Sequence, residues 1–307
     1  MSIPVEGVVP PVVVARHEDG SLDQVSYVRN INRLIDAGVH GLFILGSSGE
    51  GVFCTASERE QIIADTMEAV KGRVPVLVGC IETQTAKVIE QVKAAEAHGV
   101  DGVVVTAPFY ALGGLDQVEE HFRQVANATS LPVLAYDIPV CVHVKLPVAL
   151  LVQLGLEGVL HGVKDSSGDD VSFRNLVIAN REAGSPLALF TGHEVVVDGA
   201  YLSGADGSVP GLGNVDPEGY VRQWNAFKAG DWETVRKEQD RLARVMAVAR
   251  LATSVFGFGA GVGGFKVALK HLGVFESAAM PAPVPQLTGA EQDAIRDVLV
   301  ETGLLSA

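Results

Sequence analysis

Cysteine is scarce: Cys54, Cys80 and Cys141 are the whole complement of 307 residues. Three thiols cannot all pair and no Cys-x-x-Cys occurs. A fully paired disulfide framework is excluded, and a reduced, cytoplasmic protein is the simplest expectation. Positive charge is short as well. The formal net charge is −14, and without a basic stripe no nucleic-acid partner is expected. Nothing basic precedes Arg16, while Pro4, Pro10 and Pro11 interrupt the start of the chain, so no signal peptide is expected. No apolar run has membrane-spanning length, so no membrane partner is expected either. The eight histidines are scattered, and no His/Asp/Glu set has ligand spacing. No metal is expected.

What is present is apolar and regular. The chain is 48% hydrophobic and 20% charged, enough for a large core. Runs rich in Val, Ile and Leu, expected as strands, occur at 8–15, 41–45, 74–79, 102–106, 131–137, 159–164, 187–191 and 207–209. Amphipathic stretches separate them. Ser21 is the expected N-cap of the first helix, and Ser57 with Glu60 an expected capping box. Apolar, non-alternating strands between helices mean a parallel sheet covered by helices, and eight such units fit a (β/α)8 TIM barrel of the α/β class. The barrel is expected over residues 1–230. A C-terminal helical extension packed on it is expected over 231–307, with 280–285 as an extended connector.

In such barrels active sites gather where strands run into the following loops. The sixth strand ends in Lys164, within Gly162-Val163-Lys164-Asp165-Ser166-Ser167. The plain reading is a strand cap paired with Asp165 or Asp169. The chemical one is a nucleophile, since desolvation of an ammonium favours the neutral amine that attacks a ketone. The other strand ends offer Gly46-Ser47-Ser48-Gly49, Pro108-Phe109-Tyr110, Tyr136-Asp137-Ile138-Pro139 and Gly192-His193-Glu194. A lysine, two tyrosines and a hydroxyl-rich glycine loop are the parts of a Schiff-base enzyme. The amine would form an iminium with an α-keto acid, Tyr136 would move protons, and Ser47 and Ser48 with freed backbone N–H groups would hold the carboxylate. None of these residues is specific alone; their order along the strands is the signal. A metal-dependent barrel, a phosphate site in the glycine run 207–214, and a non-catalytic scaffold remain as alternatives from other classes.

Taken together, these motifs resemble the dihydrodipicolinate synthase / N-acetylneuraminate lyase family of pyruvate-handling class I aldolases. Gly7-Val8-Val9-Pro10, His17-Glu18-Asp19-Gly20-Ser21-Leu22-Asp23 and Gly204-Ala205-Asp206-Gly207 extend the match over nearly the whole length. The resemblance implies Lys164 as the Schiff-base lysine, Tyr136 as proton relay, and Ser47 and Ser48 as carboxylate and relay hydroxyls. It also implies a homotetramer, a dimer of tight dimers in which Tyr110 reaches across the interface. The expected catalytic set is therefore Lys164, Tyr136, Tyr110 and Ser48. The expected substrate-binding set is Ser47, Ser48, Gly49, Cys141, His143, Ser166, Gly192, Glu194 and Val209. No cofactor is expected beyond the covalent imine.

Departures from the family pattern bear on substrate. Cys141 stands where the synthase carries an arginine for its aldehyde's carboxylate. Val144-Lys145-Leu146 resembles the lyase side, and Glu194 fits the first of a lyase acidic pair whose second place is Val195. The resemblance thus implies a lyase that joins pyruvate to an aldehyde or releases the two, acting on a 2-keto-3-deoxy sugar acid or a related hydroxy keto acid. The alternatives within the family are 4-hydroxy-tetrahydrodipicolinate synthase, which joins pyruvate to aspartate semialdehyde, and a keto-deoxy sugar acid dehydratase using the same lysine.

Overall fold

The computed structural model describes Ile3 and residues 5–306. Eight short strands line up in parallel: β1 (Gly7–Val8), β2 (Leu42–Ile44), β3 (Val76–Cys80), β4 (Gly102–Thr106), β5 (Val133–Asp137), β6 (Gly162–Asp165), β7 (Ala188–Thr191) and β8 (Gly207–Ser208). Their order is β1-β8-β7-β6-β5-β4-β3-β2. β1 and β2 then meet at an isolated parallel bridge, Pro11↔Phe43. There the Val12 N–H donates to the Phe43 carbonyl at 2.8 Å and the Phe43 N–H to the Pro10 carbonyl at 3.0 Å. The sheet therefore closes on itself as a TIM barrel.

Between strands run the helices α1 (Gln24–Asp36), α2 (Ala56–Val70), α3 (Thr85–Ala97), α4 (Leu115–Asn127), α5 (Pro139–Val142), α6 (Val148–Leu156), α7 (Asp170–Glu182) and α8 (Val197–Ser203), and α9 (Pro217–Lys228) follows β8. After the barrel come α10 (Trp232–Val245), α11 (Phe258–His271) and α12 (Gly289–Glu301). α10 packs on α8 and α9, and α11 packs on a 3-10 turn, Gly211–Asn214, that follows β8. The C-terminal helices are thereby held against the last quarter of the barrel, and α11 also reaches the loop after β2 through Lys266 and Glu50.

Several boundaries differ from the sequence reading. Of the run 8–15 only Val8 lies in a strand, together with the preceding Gly7, because Pro10 and Pro11 have no N–H to donate. Asp23, not Ser21, caps α1, its carboxylate accepting from the Ser26 N–H. The capping box of α2 is Thr55 with Glu58, two residues before the expected pair. α5 was not anticipated at all. It is one turn started by Pro139, whose fixed φ suits a first helical position.

Candidate active site

The strand register sets one interior layer. Thr106 pairs with Tyr136, Tyr136 with Lys164, and Lys164 with Phe190. Residues in register on parallel strands face the same way. Lys164 Nζ lies 3.7 Å from the Tyr136 ring centroid and 5.2 Å from that of Phe43, which comes from the far strand β2. These side chains therefore fill the inside of the barrel near the ends of β5 and β6.

Lys164 is 5% exposed, and it makes no salt bridge among the described residues. The strand-cap reading fails. Asp165 faces Lys145, at 3.4 Å, and its other oxygen takes the Ser167 N–H and hydroxyl. Asp169 caps α7 through the Ser172 N–H. An ammonium over an aromatic face gains about 2 kcal/mol. Withdrawing an ammonium from water costs several, about twice that or more. Stability does not explain a lysine here.

The second wall is the loop after β2. The Ser47 hydroxyl is 3.3 Å from the Tyr136 hydroxyl, so the two sides of the barrel meet at these oxygens. Ser48 follows with no hydrogen-bond partner for its hydroxyl among the described residues. Gly49 is a packing position: a Cβ there would fall 2.8 Å from the Leu45 amide and 3.0 Å from the Val12 carbonyl. The loop is framed by two non-glycine residues in left-handed backbone, Leu45 and Glu50, each at φ 55°.

The remaining expected residues differ in burial and in their partners. The Ser166 hydroxyl is without a protein partner among the described residues. A Cβ on Gly192 would sit 2.1 Å from it, so the glycine leaves room for that hydroxyl. Cys141, on α5, is exposed, yet desolvation raises its thiol pKa while the charge of Lys164 acts the other way. His143 is the left-handed residue that ends α5, and it is exposed. The Glu194 carboxylate accepts from the Gly211 N–H at 2.7 Å and the Leu212 N–H at 3.1 Å, so it organises the turn after β8. Burial pushes this carboxyl up, and those two N–H bonds and the Lys164 charge act against the shift. Val209 is buried, its N–H donating to the Thr191 carbonyl. Tyr110 is 92% exposed with φ 74°, and the chain does not bring it into contact with the lysine layer.

Sequence reasoning missed two groups. Phe43 forms the floor beneath the amine. Lys145 bridges Asp137 and Asp165, the residues that directly follow Tyr136 and Lys164 and that pair across β5 and β6. Burial acts to lower the Lys145 pKa, but the bond to Asp137 and the charge of Asp165 outweigh it and raise it. An Asp directly after Tyr136 and after Lys164 was the available signal.

A TIM barrel with Lys164 buried at a strand end, facing a tyrosine and a serine loop, is an arrangement suited to lyase or aldolase chemistry. The profile of the Dihydrodipicolinate synthetase family matches residues 4–302, and the chain belongs to that family. An uncharacterized DapA-like lyase from Halobacterium salinarum is 35% identical over 304 residues, covering 97% of this chain and 94% of that protein. A probable 2-dehydro-3-deoxy-D-pentonate aldolase, YjhH of Escherichia coli, is 27% identical, covering 97% of this chain and 98% of that protein. Among solved structures, the E. coli prophage protein YagE in complex with pyruvate superposes with TM-score 0.92 at 28% identity, covering 98% of this chain and 99% of that one.

Proposed function

We propose that this protein is a Schiff-base lyase that cleaves a 2-keto-3-deoxy sugar acid, or a related hydroxy keto acid, to pyruvate and an aldehyde, or runs the reverse. The observation that carries the proposal is the buried Lys164 amine, without a carboxylate partner, against the Tyr136 ring. The neutral amine adds to the keto carbon, and loss of water gives an iminium. The bond between the third and fourth carbons breaks. Its electron pair enters the iminium to make an enamine, and the proton of the fourth-carbon hydroxyl passes to Tyr136 as that phenol hands its own proton on to Ser47. The aldehyde leaves, the enamine takes a proton on carbon, and water releases pyruvate and the free amine. Ser47 and Ser48 hold the keto acid's carboxylate, and Ser47 extends the proton path from Tyr136. Ser166, Glu194 and His143 are the side chains we assign to reading substrate hydroxyls. No cofactor is needed beyond the imine.

The name carried by YjhH supports the sugar-acid side. The synthase reading has support too: a 4-hydroxy-tetrahydrodipicolinate synthase from Phenylobacterium zucineum is 30% identical, covering 96% of this chain and 97% of that protein. Cys141 in place of a carboxylate-binding arginine weighs against it. A dehydratase would instead lose a proton from the third carbon of the same iminium to give an enamine, whose electron pair expels the fourth-carbon hydroxyl as water once that hydroxyl has taken a proton. We also propose a cytoplasmic homotetramer with Tyr110 at the tight interface. Its 92% exposure in one chain supports a partner-covered tip, although a neighbour at TM-score 0.91 and 25% identity is described as a monomeric dihydrodipicolinate synthase variant.

Incubation with pyruvate and sodium borohydride, followed by peptide mapping, tests the mechanism. A reduced pyruvate adduct on Lys164, absent in Lys164→Ala, is the expected result. A folded protein that forms no adduct removes the Schiff-base reading.

A further inference from the structure

Behind the serine loop, outside the lysine layer, lies an ion pair whose two side chains are both fully buried. Glu50 and Lys266 are both 0% exposed. Lys266 comes from α11, and its ammonium contacts Glu50 Oε1 and donates to the Ala279 carbonyl at 2.7 Å. Glu50 Oε2 accepts from Arg16 Nε at 2.7 Å, and Arg16 Nη1 reaches Glu58 Oε1 at 2.8 Å. Arg16 Nη1 also donates to the Gly20 carbonyl, and Nη2 lies 3.7 Å from Cys54 Sγ. Two cations face two carboxylates, so the cluster is neutral.

Glu50 is not simply near the site; it is part of the site's loop. Its N–H donates to the Ser47 carbonyl at 3.2 Å, and the next N–H, of Gly51, donates to the Gly46 carbonyl at 3.1 Å. Its backbone is left-handed, at φ 55°. Such a residue costs about 1–3 kcal/mol and persists only where its surroundings over-determine it. Two cations on one fully buried carboxylate supply that determination. The chain of contacts is continuous: α11, Lys266, Glu50, the Ser47 backbone, and the Ser47 hydroxyl 3.3 Å from Tyr136.

We propose that Lys266 and Arg16 act through Glu50 as positioning residues, fixing the Ser47–Ser48 hydroxyls for the keto acid, so that a C-terminal helix outside the barrel sets the affinity of the site for its ketone. This inference rests on the function proposed above. It goes beyond that reading by assigning part of substrate binding to a helix that carries none of the expected substrate-binding residues.

A charge-balanced double variant separates positioning from mere support. Glu50→Gln leaves two cations against one carboxylate, and Lys266→Met leaves one cation against two. Each single variant should be destabilised, because a buried charge loses its partner. Glu50→Gln/Lys266→Met restores the balance and should recover much of the thermal midpoint. The pyruvate concentration for half-maximal borohydride adduct should nevertheless stay raised by about tenfold or more, the scale of effect that misplaced binding groups have. Recovery of both midpoint and half-saturation in the double variant overturns the inference while leaving the proposed function standing. No adduct on the wild-type protein overturns both. Should the variants fail to fold, hydrogen exchange on the wild-type chain decides. Trapping pyruvate should slow exchange in peptides covering residues 45–53 and 262–270 together, and slowing in the loop alone overturns the inference.

Discussion

Tyr136 sits between the amine and the serine loop, its ring under Lys164 Nζ and its hydroxyl at Ser47. Removing the hydroxyl alone keeps the ring. Tyr136→Phe is therefore expected to leave the borohydride adduct on Lys164 detectable while lowering the rate of aldehyde release by about 10²–10³, the usual worth of a positioned proton carrier. Rapid-quench measurement of aldehyde against adduct separates the two steps, and equal loss of both would assign Tyr136 to imine formation instead. The members of the proposed site were readable as candidates, since Lys164, Tyr136 and the Ser47–Ser48 pair each end an apolar run. Their neighbours were not. Phe43 reads as one more core residue, and nothing in a linear pattern says that it meets Lys164 across the barrel.

At the level of elements, β5 and β6 present the two central groups and are fastened to each other beyond the ladder. Asp137 and Asp165, on the opposite faces from Tyr136 and Lys164, share the Lys145 ammonium. Lys145→Met would leave two carboxylates without their cation, the first fully buried and the second 5% exposed. The expected loss is about 3 kcal/mol, at the low end for buried pairs because the ammonium keeps some solvent. A lowered urea midpoint with unchanged slope would show it. Addition of Asp137→Asn should return part of the loss, and a double variant less stable than the single would argue against the shared ion pair. Strands and helices were legible because a parallel barrel needs strands buried on both faces, which leaves long apolar runs. Boundaries were less so. Thr55-x-x-Glu58 and Ser57-x-x-Glu60 satisfy the same capping pattern, and only the geometry of entry into α2 chooses between them. The cluster of Arg16, Glu50 and Lys266 was invisible for a simpler reason: its members lie on three distant segments.

On the scale of the whole molecule, the acid limb of stability has an identifiable contributor. His121 on α4 is 2% exposed, with Thr85 Oγ1 at 3.0 Å from its Nδ1. Burial lowers its pKa from 6.5 to about 4. Between those values the unfolded chain binds a proton that the folded chain does not, so stability falls as pH falls through the window. The contribution is up to about 1.4 kcal/mol per pH unit. His121→Gln should flatten the midpoint-versus-pH curve between pH 6.5 and about 4. An unchanged slope would move the effect to other groups.

The barrel is closed by β1, which pairs with β8 on one side and reaches β2 through the Pro11–Phe43 bridge on the other. During synthesis, the partner of Gly7 at Gly207 emerges only after two thirds of the chain. At ribosomal rates that delay is roughly 10–40 s. Throughout it the nascent sheet has open edges rich in Val, Leu and Ile, the surface on which strands of other chains add. The closing strand itself is short and broken by Pro10 and Pro11. The last seam to form therefore offers few backbone donors to a stranger, which leaves the growing edge between β2 and the newest strand as the one a chaperone would need to shield.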